Sequence, residues 1–127
     1  MAVQLNHTIL SARNRQESAD FLTGILGLSE PVPSEPFLAV PLSNGVTLDV
    51  LEVSEPIASQ HYAFLVEESE FDEILGRIRQ QELPYWADPF HRRPSQVNDW
   101  HGGHGVYFDD PNGHRLEVLT RPSTTNR

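Results

Sequence analysis

Residues 107–120 carry the sequence YFDDPNGHRLEVLT, and this stretch predicts the hairpin that ends the fold. Its centre, DPNG, is a turn, because proline presets φ and Asn-Gly tolerates a positive φ. The apolar residues on both sides read as two paired strands. Alternation along the second strand places Arg115, Glu117 and Leu119 on one face. A carboxylate within an apolar strand is costly unless it is paired or bound to a metal, so Glu117 needs a partner, either Arg115 or a metal ion.

The composition limits the classes of function. The chain has 127 residues and a formal net charge of −9, and no basic cluster suits the phosphates of a nucleic acid. It has no cysteine, which leaves His, Asp and Glu as the possible metal ligands. No apolar run reaches the roughly 20 residues of a membrane-spanning helix, and the N-terminal residues lack a secretory signal pattern. We expect one cytoplasmic domain that binds neither nucleic acid nor a membrane.

Hydrophobic periodicity and turn signals predict a similar order of elements twice. The first half has a strand, a helix ended by Gly27, and a hairpin, with a proline-rich loop or irregular edge at residues 29–36. The second half has a strand, a helix, a short strand, a long loop at residues 88–103 and the final hairpin. The predicted strands are 3–10, 37–42, 46–53, 60–67, 84–87 and the two strands of the final hairpin; the predicted helices are 13–26 and 70–81.

The two halves are related by an internal duplication. The sequence NGVTLDVL at residues 44–51 aligns with NGHRLEVL at residues 112–119. The first strands of the halves align in the same way, LNH with SQH. The alignment gives two matched pairs, His7 with His61 and Asp49 with Glu117.

The duplication defines two modules. Module one covers about residues 1–55 and module two about 59–121, and residues 122–127 are expected to be a frayed tail. Each module reads β-α-β-β with room for one further strand. Neither module buries a sheet face alone, so the two should pack together.

The matched residues predict a metal site. All four lie on the strand faces that do not pack under the helices, and a pseudo-two-fold axis between the modules would bring them together. Two imidazoles and one or two carboxylates suit Fe²⁺, Mn²⁺, Ni²⁺, Co²⁺ or Zn²⁺, and leave coordination positions open for a substrate. The four residues are His7, Asp49, His61 and Glu117.

Three stretches resemble the vicinal oxygen chelate superfamily, which includes glyoxalase I, extradiol dioxygenases, fosfomycin-resistance enzymes and bleomycin-resistance proteins. They are LNHT at residues 5–8, QHYAF at 60–64 and YFDDPNGHRLE at 107–117. The resemblance covers essentially the whole chain. It implies an α+β fold in which two tandem βαβββ modules form an open, cupped sheet around a metal-binding cavity.

The resemblance also implies the ligands. The superfamily takes them from the first strand of each module and the last strand of the second, which here gives His7, His61 and Glu117. Glyoxalase I adds a fourth ligand at the position of Asp49, where that family usually has Glu. The shorter Asp49 is a fourth ligand, a catalytic base or a residue that hydrogen-bonds a ligand.

The motifs leave the reaction open. The first interpretation is a glyoxalase-like lyase or isomerase, whose metal polarises a small oxygenated substrate that chelates it. The second is an iron-dependent dioxygenase of the extradiol type, which needs an acid–base pair near the metal; the candidates for that pair are His101, His104, Tyr62 and Tyr107. The predicted catalytic residues are Glu117, Asp49, Tyr107 and His101.

The loop at residues 88–103 has no counterpart in module one. It mixes aromatic and basic side chains, which suits an anionic or aromatic ligand. We predict a lid that brings Arg92 or Arg93 and one histidine to a metal-bound, negatively charged substrate; the alternative is a solvated loop whose arginines pair with the protein's own carboxylates. The predicted substrate-binding residues are Arg92, Arg93, Trp86, Trp100 and His104.

A third interpretation is a resistance protein that binds a small molecule without catalysis. Trp86, Phe90 and Trp100 would then line its cleft, although they also suit ordinary packing of a long loop. The resemblance to superfamily members of this size further implies a homodimer. Its sites can be built from module one of one chain and module two of the other.

Overall fold

A computed structural model describes residues 2–123, which form eight β-strands and two α-helices. Part of the predicted frayed tail, residues 124–127, lies outside the described residues. No helix within the described range is long and apolar enough to cross a membrane. In chain order the elements are β1 (His7–Ala12), α1 (Arg15–Leu26), β2 (Val32–Ser34), β3 (Phe37–Pro41), β4 (Thr47–Glu52), β5 (His61–Leu65), α2 (Glu68–Gln80), β6 (Tyr85–Trp86), a 3₁₀ turn (Trp100–Gly102), β7 (Gly105–Asp109) and β8 (Arg115–Leu119).

The chain divides into two compact units, residues 1–58 and 59–127. Each unit contains one helix and one four-stranded mixed sheet, with the strand order β1-β4-β3-β2 in the first and β5-β8-β7-β6 in the second. In each sheet the first and last strands of the unit pair in parallel, and the other neighbours pair antiparallel. The predicted α+β fold of two βαβββ modules is therefore confirmed.

In the first unit, α1 packs against β1, β3 and β4. The helix begins where the Asn14 side chain accepts a hydrogen bond from the Glu17 N–H (2.9 Å), and it ends at Gly27, whose φ of 73° suits glycine. Leu22 of the helix and Val50 of β4 are fully buried. The proline-rich stretch forms the edge strand β2, where a missing N–H is tolerated.

In the second unit, the two sheet faces differ in chemistry. Phe108, Leu116 and Val118 are almost fully buried and share the face on which the α2 residue Arg79 hydrogen-bonds Tyr85 (3.1 Å). The opposite face carries the conspicuous polar residues of β5, β7 and β8. A carboxylate on this second face does not pack under the helix, so it is available for binding or catalysis.

The strand register repeats the sequence duplication residue by residue. Asp49 lies opposite Ile9 of β1 and Ala39 of β3. Glu117 lies in the same way opposite Ala63 of β5 and Tyr107 of β7. In each unit, the carboxylate lies two residues after the position on its own strand that pairs with the unit's histidine. The equivalent registers place His7 on the sheet face of Asp49, and His61 on the face of Glu117.

Candidate metal centre

The second unit brings two predicted metal ligands together. The Nε2 atom of His61 lies 3.0 Å from Oε1 of Glu117. The neighbouring strands β5 and β8 supply them, because Ala63, two residues after His61, is the register partner of Glu117. The His61 side chain is 51% exposed and that of Glu117 only 11%, so one wall of the pair is open to a ligand.

The contacts of the His61 ring favour a cation between the two side chains. Nδ1 lies 3.2 Å from the Arg115 carbonyl oxygen, which only accepts hydrogen bonds, so Nδ1 carries a hydrogen. In a neutral ring Nε2 then presents a lone pair to the Glu117 carboxylate, which is favourable only with a shared proton or cation. Two ligand atoms about 2.1 Å from one ion and at right angles lie about 3.0 Å apart. The pair fits a divalent metal.

The first unit prepares His7 in the same tautomer. Its Nδ1 lies 2.8 Å from the Asn6 side-chain oxygen, which leaves Nε2 as the nitrogen for a metal. His7 is exposed, and Asp49 is half-buried on the same sheet face. Within residues 2–123, no three His, Asp or Glu side chains are gathered closely enough to hold an ion. The complete ligand set of His7, His61 and Glu117 stays a prediction.

Tyr107 supports the Glu117 carboxylate from the neighbouring strand. Both residues are buried, at 7% and 8% exposure, and the phenol donates a hydrogen bond to the carboxylate. Burial raises the pKa of Tyr107, and the charge and hydrogen bond of Glu117 raise it further. The phenol therefore stays protonated at neutral pH, and in the metal-free protein it donates a hydrogen bond to Glu117.

Aromatic rings surround this hydrogen bond. The rings of Tyr107 and His61 are stacked, with centroids 5.9 Å apart and planes at 20°. Trp100 meets Tyr107 edge-on at 6.1 Å, and Trp86 is the register partner of Tyr107 on β6. Two predicted substrate-binding residues, Trp86 and Trp100, thus lie beside Tyr107.

Arg115 does not neutralise Glu117. Its guanidinium donates instead to the carbonyl oxygen of Pro89 in the long loop, and among the described residues no ion pair joins Arg115 to Glu117. The simpler explanation of the strand carboxylate, pairing with Arg115, is therefore wrong.

The long loop is anchored at its start. The buried Asp88 carboxylate accepts hydrogen bonds from the backbone N–H groups of Phe90, Arg92 and Arg93 at 2.8–3.2 Å. Burial alone would raise the pKa of Asp88, but these bonds and the charge of Arg92 outweigh it and lower the pKa. Further along, the Asn98 side chain donates to the Ala87 carbonyl (2.8 Å). These contacts anchor the start of the loop and Asn98 to the neighbouring backbone, and the lid stays a prediction.

The remaining predicted residues lie in different surroundings. Arg92 and Arg93 are exposed, and among residues 2–123 neither forms an ion pair. His101 is exposed in the 3₁₀ turn with a φ of 59°. His104 contacts α2, with Nδ1 2.8 Å from Glu68 and its ring against Phe71.

Sequence reasoning missed a second histidine–carboxylate pair, His91 with Asp109. Nε2 of His91 lies 3.5 Å from Oδ1 of Asp109. The sequence signals that could have found it are the parity of Asp109 with Tyr107 on β7, and a histidine in the loop that follows β6.

Comparisons with known proteins agree with this architecture. Residues 4–118 match the family model described as "Glyoxalase/Bleomycin resistance protein/Dioxygenase superfamily". The solved structure of "Oxidase ChaP-H1" is 58% identical with a TM-score of 0.94, over 95% of this chain and 98% of that one. "Oxidase ChaP-H2" is 56% identical with a TM-score of 0.93, over 96% of each chain. A curated relative, "Glutathione transferase FosA" of Serratia marcescens, is 29% identical over 93% of this chain and 81% of its own length.

Proposed function

Because the chain belongs to the glyoxalase/bleomycin resistance protein/dioxygenase superfamily, we propose that it is a divalent-metal-dependent enzyme that oxidises a small substrate. The oxygen atoms of that substrate would chelate the metal. The observation that carries the proposal is the contact between His61 and Glu117 at 3.0 Å. It pairs a nitrogen lone pair with a buried carboxylate on a sheet face that has an open side.

The proposed ligands are His61, Glu117 and His7. Fe²⁺, Mn²⁺, Ni²⁺, Co²⁺ and Zn²⁺ all accept such a set of imidazole and carboxylate ligands. We assign His7 to the set on its matched place in the duplication and on its Nδ1 contact with Asn6. Module one of the same chain or of a second copy would supply it, and a homodimer would have a mass of about 28 kDa from two chains of 14.3 kDa.

When bound, the metal would supply Lewis-acid and redox chemistry. The chain's own residues position the groups around it. The Arg115 carbonyl fixes the tautomer and ring angle of His61, and Tyr107 donates to Glu117 and so holds the carboxylate in place. The ring of Trp100 meets the ring of Tyr107 edge-on beside this carboxylate. Asp49, half-buried, is the proposed proton acceptor.

Oxidation is favoured over other superfamily reactions by the relatives. Two solved structures that are 58% and 56% identical carry the name oxidase. The second candidate is a non-oxidative reaction of the glyoxalase-like kind, in which the metal only polarises the substrate. The relative named as a glutathione transferase, at 29% identity, favours that candidate. A small-molecule-binding protein without a metal is disfavoured by the His61–Glu117 pair.

Metal analysis tests the site. Protein purified without a chelator or a His tag, and reconstituted with each of the five metals, should hold about one ion per chain. His61→Ala and Glu117→Ala should each abolish tight binding. A suitable control is Glu73→Gln on α2, an exposed carboxylate, which should bind metal as the parent does. Absence of metal from every reconstituted sample would defeat the site hypothesis.

Oxygen uptake separates the two candidate reactions. The iron-loaded protein would be mixed with a series of catechols in an oxygen electrode, with the zinc-loaded protein as the control. Consumption of O₂ by the iron form alone is expected for an oxidase. Substrate conversion by both forms without O₂ consumption would support the non-oxidative reaction instead.

A further inference from the structure

Trp86, Tyr107 and Asp109 lie on the sheet face that carries Glu117, together with His61 and Arg115. Trp86 is the register partner of Tyr107, and Tyr107 is the partner of Glu117. Asp109 lies two residues after Tyr107 on β7, so it has the same parity. Since neighbouring strands are about 4.8 Å apart, Trp86 and Glu117 are separated by about 10 Å across the sheet. Tyr107 lies between the two positions, so a ligand that reaches both must lie over the Tyr107 ring.

His91 covers the far end of this face. Its ring is stacked on Trp86, with centroids 3.6 Å apart and planes at 8°. Its Nε2 faces Oδ1 of Asp109 at 3.5 Å, and 28% of the His91 side chain is exposed. The imidazole is thus fixed in plane by Trp86 and remains accessible to a ligand.

The Asp109 carboxylate defines which nitrogen of His91 is available. Oδ1 of Asp109 is shielded from solvent, and among the described residues it has no hydrogen-bond partner. Leaving such an oxygen unpaired is unfavourable, and a small rotation of the His91 ring would close the 3.5 Å gap. With Nε2–H directed at Asp109, Nδ1 is left as a hydrogen-bond acceptor.

The loop is built to hold His91 in place. His91 has a φ of 59°, a left-handed conformation that is strained for a residue other than glycine and is tolerated where surrounding contacts enforce it. Those contacts come from Asp88, which binds the N–H groups of Phe90 and Arg92 on either side of His91. Arg115 holds the preceding Pro89 carbonyl. The left-handed backbone, the stack on Trp86 and the facing Asp109 carboxylate together fix the position of the His91 imidazole.

We propose that His91 forms a second polar subsite, in which Nδ1 accepts a hydrogen bond from a hydroxyl group at the end of the substrate remote from the metal. Asp109 orients the ring, and Asp88 is a positioning residue that fixes the loop. The inference rests on the proposed function for the place of the metal. It restricts the substrate to compounds of about two-ring length with chelating oxygens at one end and a hydroxyl at the other.

Binding of two probes to the zinc-loaded protein tests this subsite. 2,3-Dihydroxybiphenyl and 2,3,4′-trihydroxybiphenyl differ only in the distal hydroxyl group, and isothermal titration calorimetry gives their Kd values without turnover. The parent protein should prefer the trihydroxy probe by about tenfold, the value of one good hydrogen bond. His91→Phe keeps an aromatic ring on Trp86 but removes the acceptor, so it should abolish the preference while the Kd for the dihydroxy probe stays within about twofold.

A second variant and a control variant complete the test. Asp109→Asn frees the ring and should reduce the preference to about threefold, whereas Gln96→Ala, an exposed loop substitution, should leave it unchanged. Equal affinity of the parent for both probes, a preference that survives in His91→Phe, or binding of neither probe would each overturn the subsite. Failure of the parent protein to bind zinc would instead overturn the proposed metal centre. The zinc Kd of each variant distinguishes loss of the metal from loss of the subsite.

Discussion

Replacing Tyr107 with Phe removes one hydroxyl group and keeps the surrounding ring contacts. The hydroxyl donates to Glu117, while the ring stacks on His61 at 5.9 Å and meets Trp100 at 6.1 Å. Both Tyr107 and Glu117 are over nine-tenths buried, so water does not replace the lost donor. The substitution therefore isolates the hydrogen bond to a buried carboxylate.

The magnitude follows from the charge of the acceptor. A hydrogen bond to a charged group contributes about 1.5–3 kcal/mol, and one between neutral groups about 1 kcal/mol. We expect Tyr107→Phe to lower the free energy of unfolding of the metal-free protein by about 2 kcal/mol, and by about 1 kcal/mol when Glu117→Gln is already present. The coupling energy between the two substitutions is thus about 1 kcal/mol.

Urea unfolding in the presence of a chelator measures this double-mutant cycle. Tryptophan fluorescence reports the transition, and the four proteins are compared at pH 7. Because the pKa of Tyr107 is raised by folding, its contribution is fully present below the unfolded phenol pKa of about 10 and declines as the pH rises through the higher folded value. A coupling energy of zero at pH 7 would refute the assigned hydrogen bond, and with it the argument that Tyr107 holds Glu117 in place.

Four further outcomes test the fold and the centre. Metal at 100 times its Kd should stabilise the parent by about 2.7 kcal/mol in urea unfolding, and Glu117→Gln should show no such effect. Asn14→Ala removes the cap of α1 and should cost about 1 kcal/mol in the same measurement. Phe108→Ala, at a position 1% exposed, should cost about 3–5 kcal/mol. Folding lowers the pKa of Asp88, so its carboxylate stabilises the folded protein above the unfolded pKa of about 3.9, and this stabilisation is lost as the pH falls through the folded value. Asp88→Asn should therefore make the free energy of unfolding depend less on pH in the acid range, as followed by circular dichroism.

The repeating order of elements was predictable because it depends on local signals. Turn residues such as Gly27 and the DPNG sequence, together with apolar periodicity, have a direct backbone consequence. The first strand was placed at residues 3–10, but it begins at His7, since its register with β4 starts where His7 faces Thr47. Val3 and Leu5 alternate as a strand would, yet both are exposed. A strand needs a partner, which alternation alone does not reveal.

The candidate site, like the strands, was predictable from the sequence only in part. Glu117 and His61 were found because the duplication marks them and parity puts them on one face. His91 was not assigned to the site, because its contact with Asp109 depends on a left-handed backbone and on a stack with Trp86. Such a conformation is supported by the Asp88 hydrogen bonds, and it is uncommon for residues other than glycine.

The duplication also shows how the two carboxylates differ. Glu117 faces Tyr107 on β7, whereas the equivalent position opposite Asp49 is Ala39. The module-two carboxylate therefore has a cross-strand phenol that donates a hydrogen bond to it, and the module-one carboxylate has a methyl group. A shorter side chain without that donor is less constrained, which suits proton transfer better than a fixed coordination bond. Divergence of one strand position between the modules accounts for the separate roles that we propose for Glu117 as ligand and Asp49 as base.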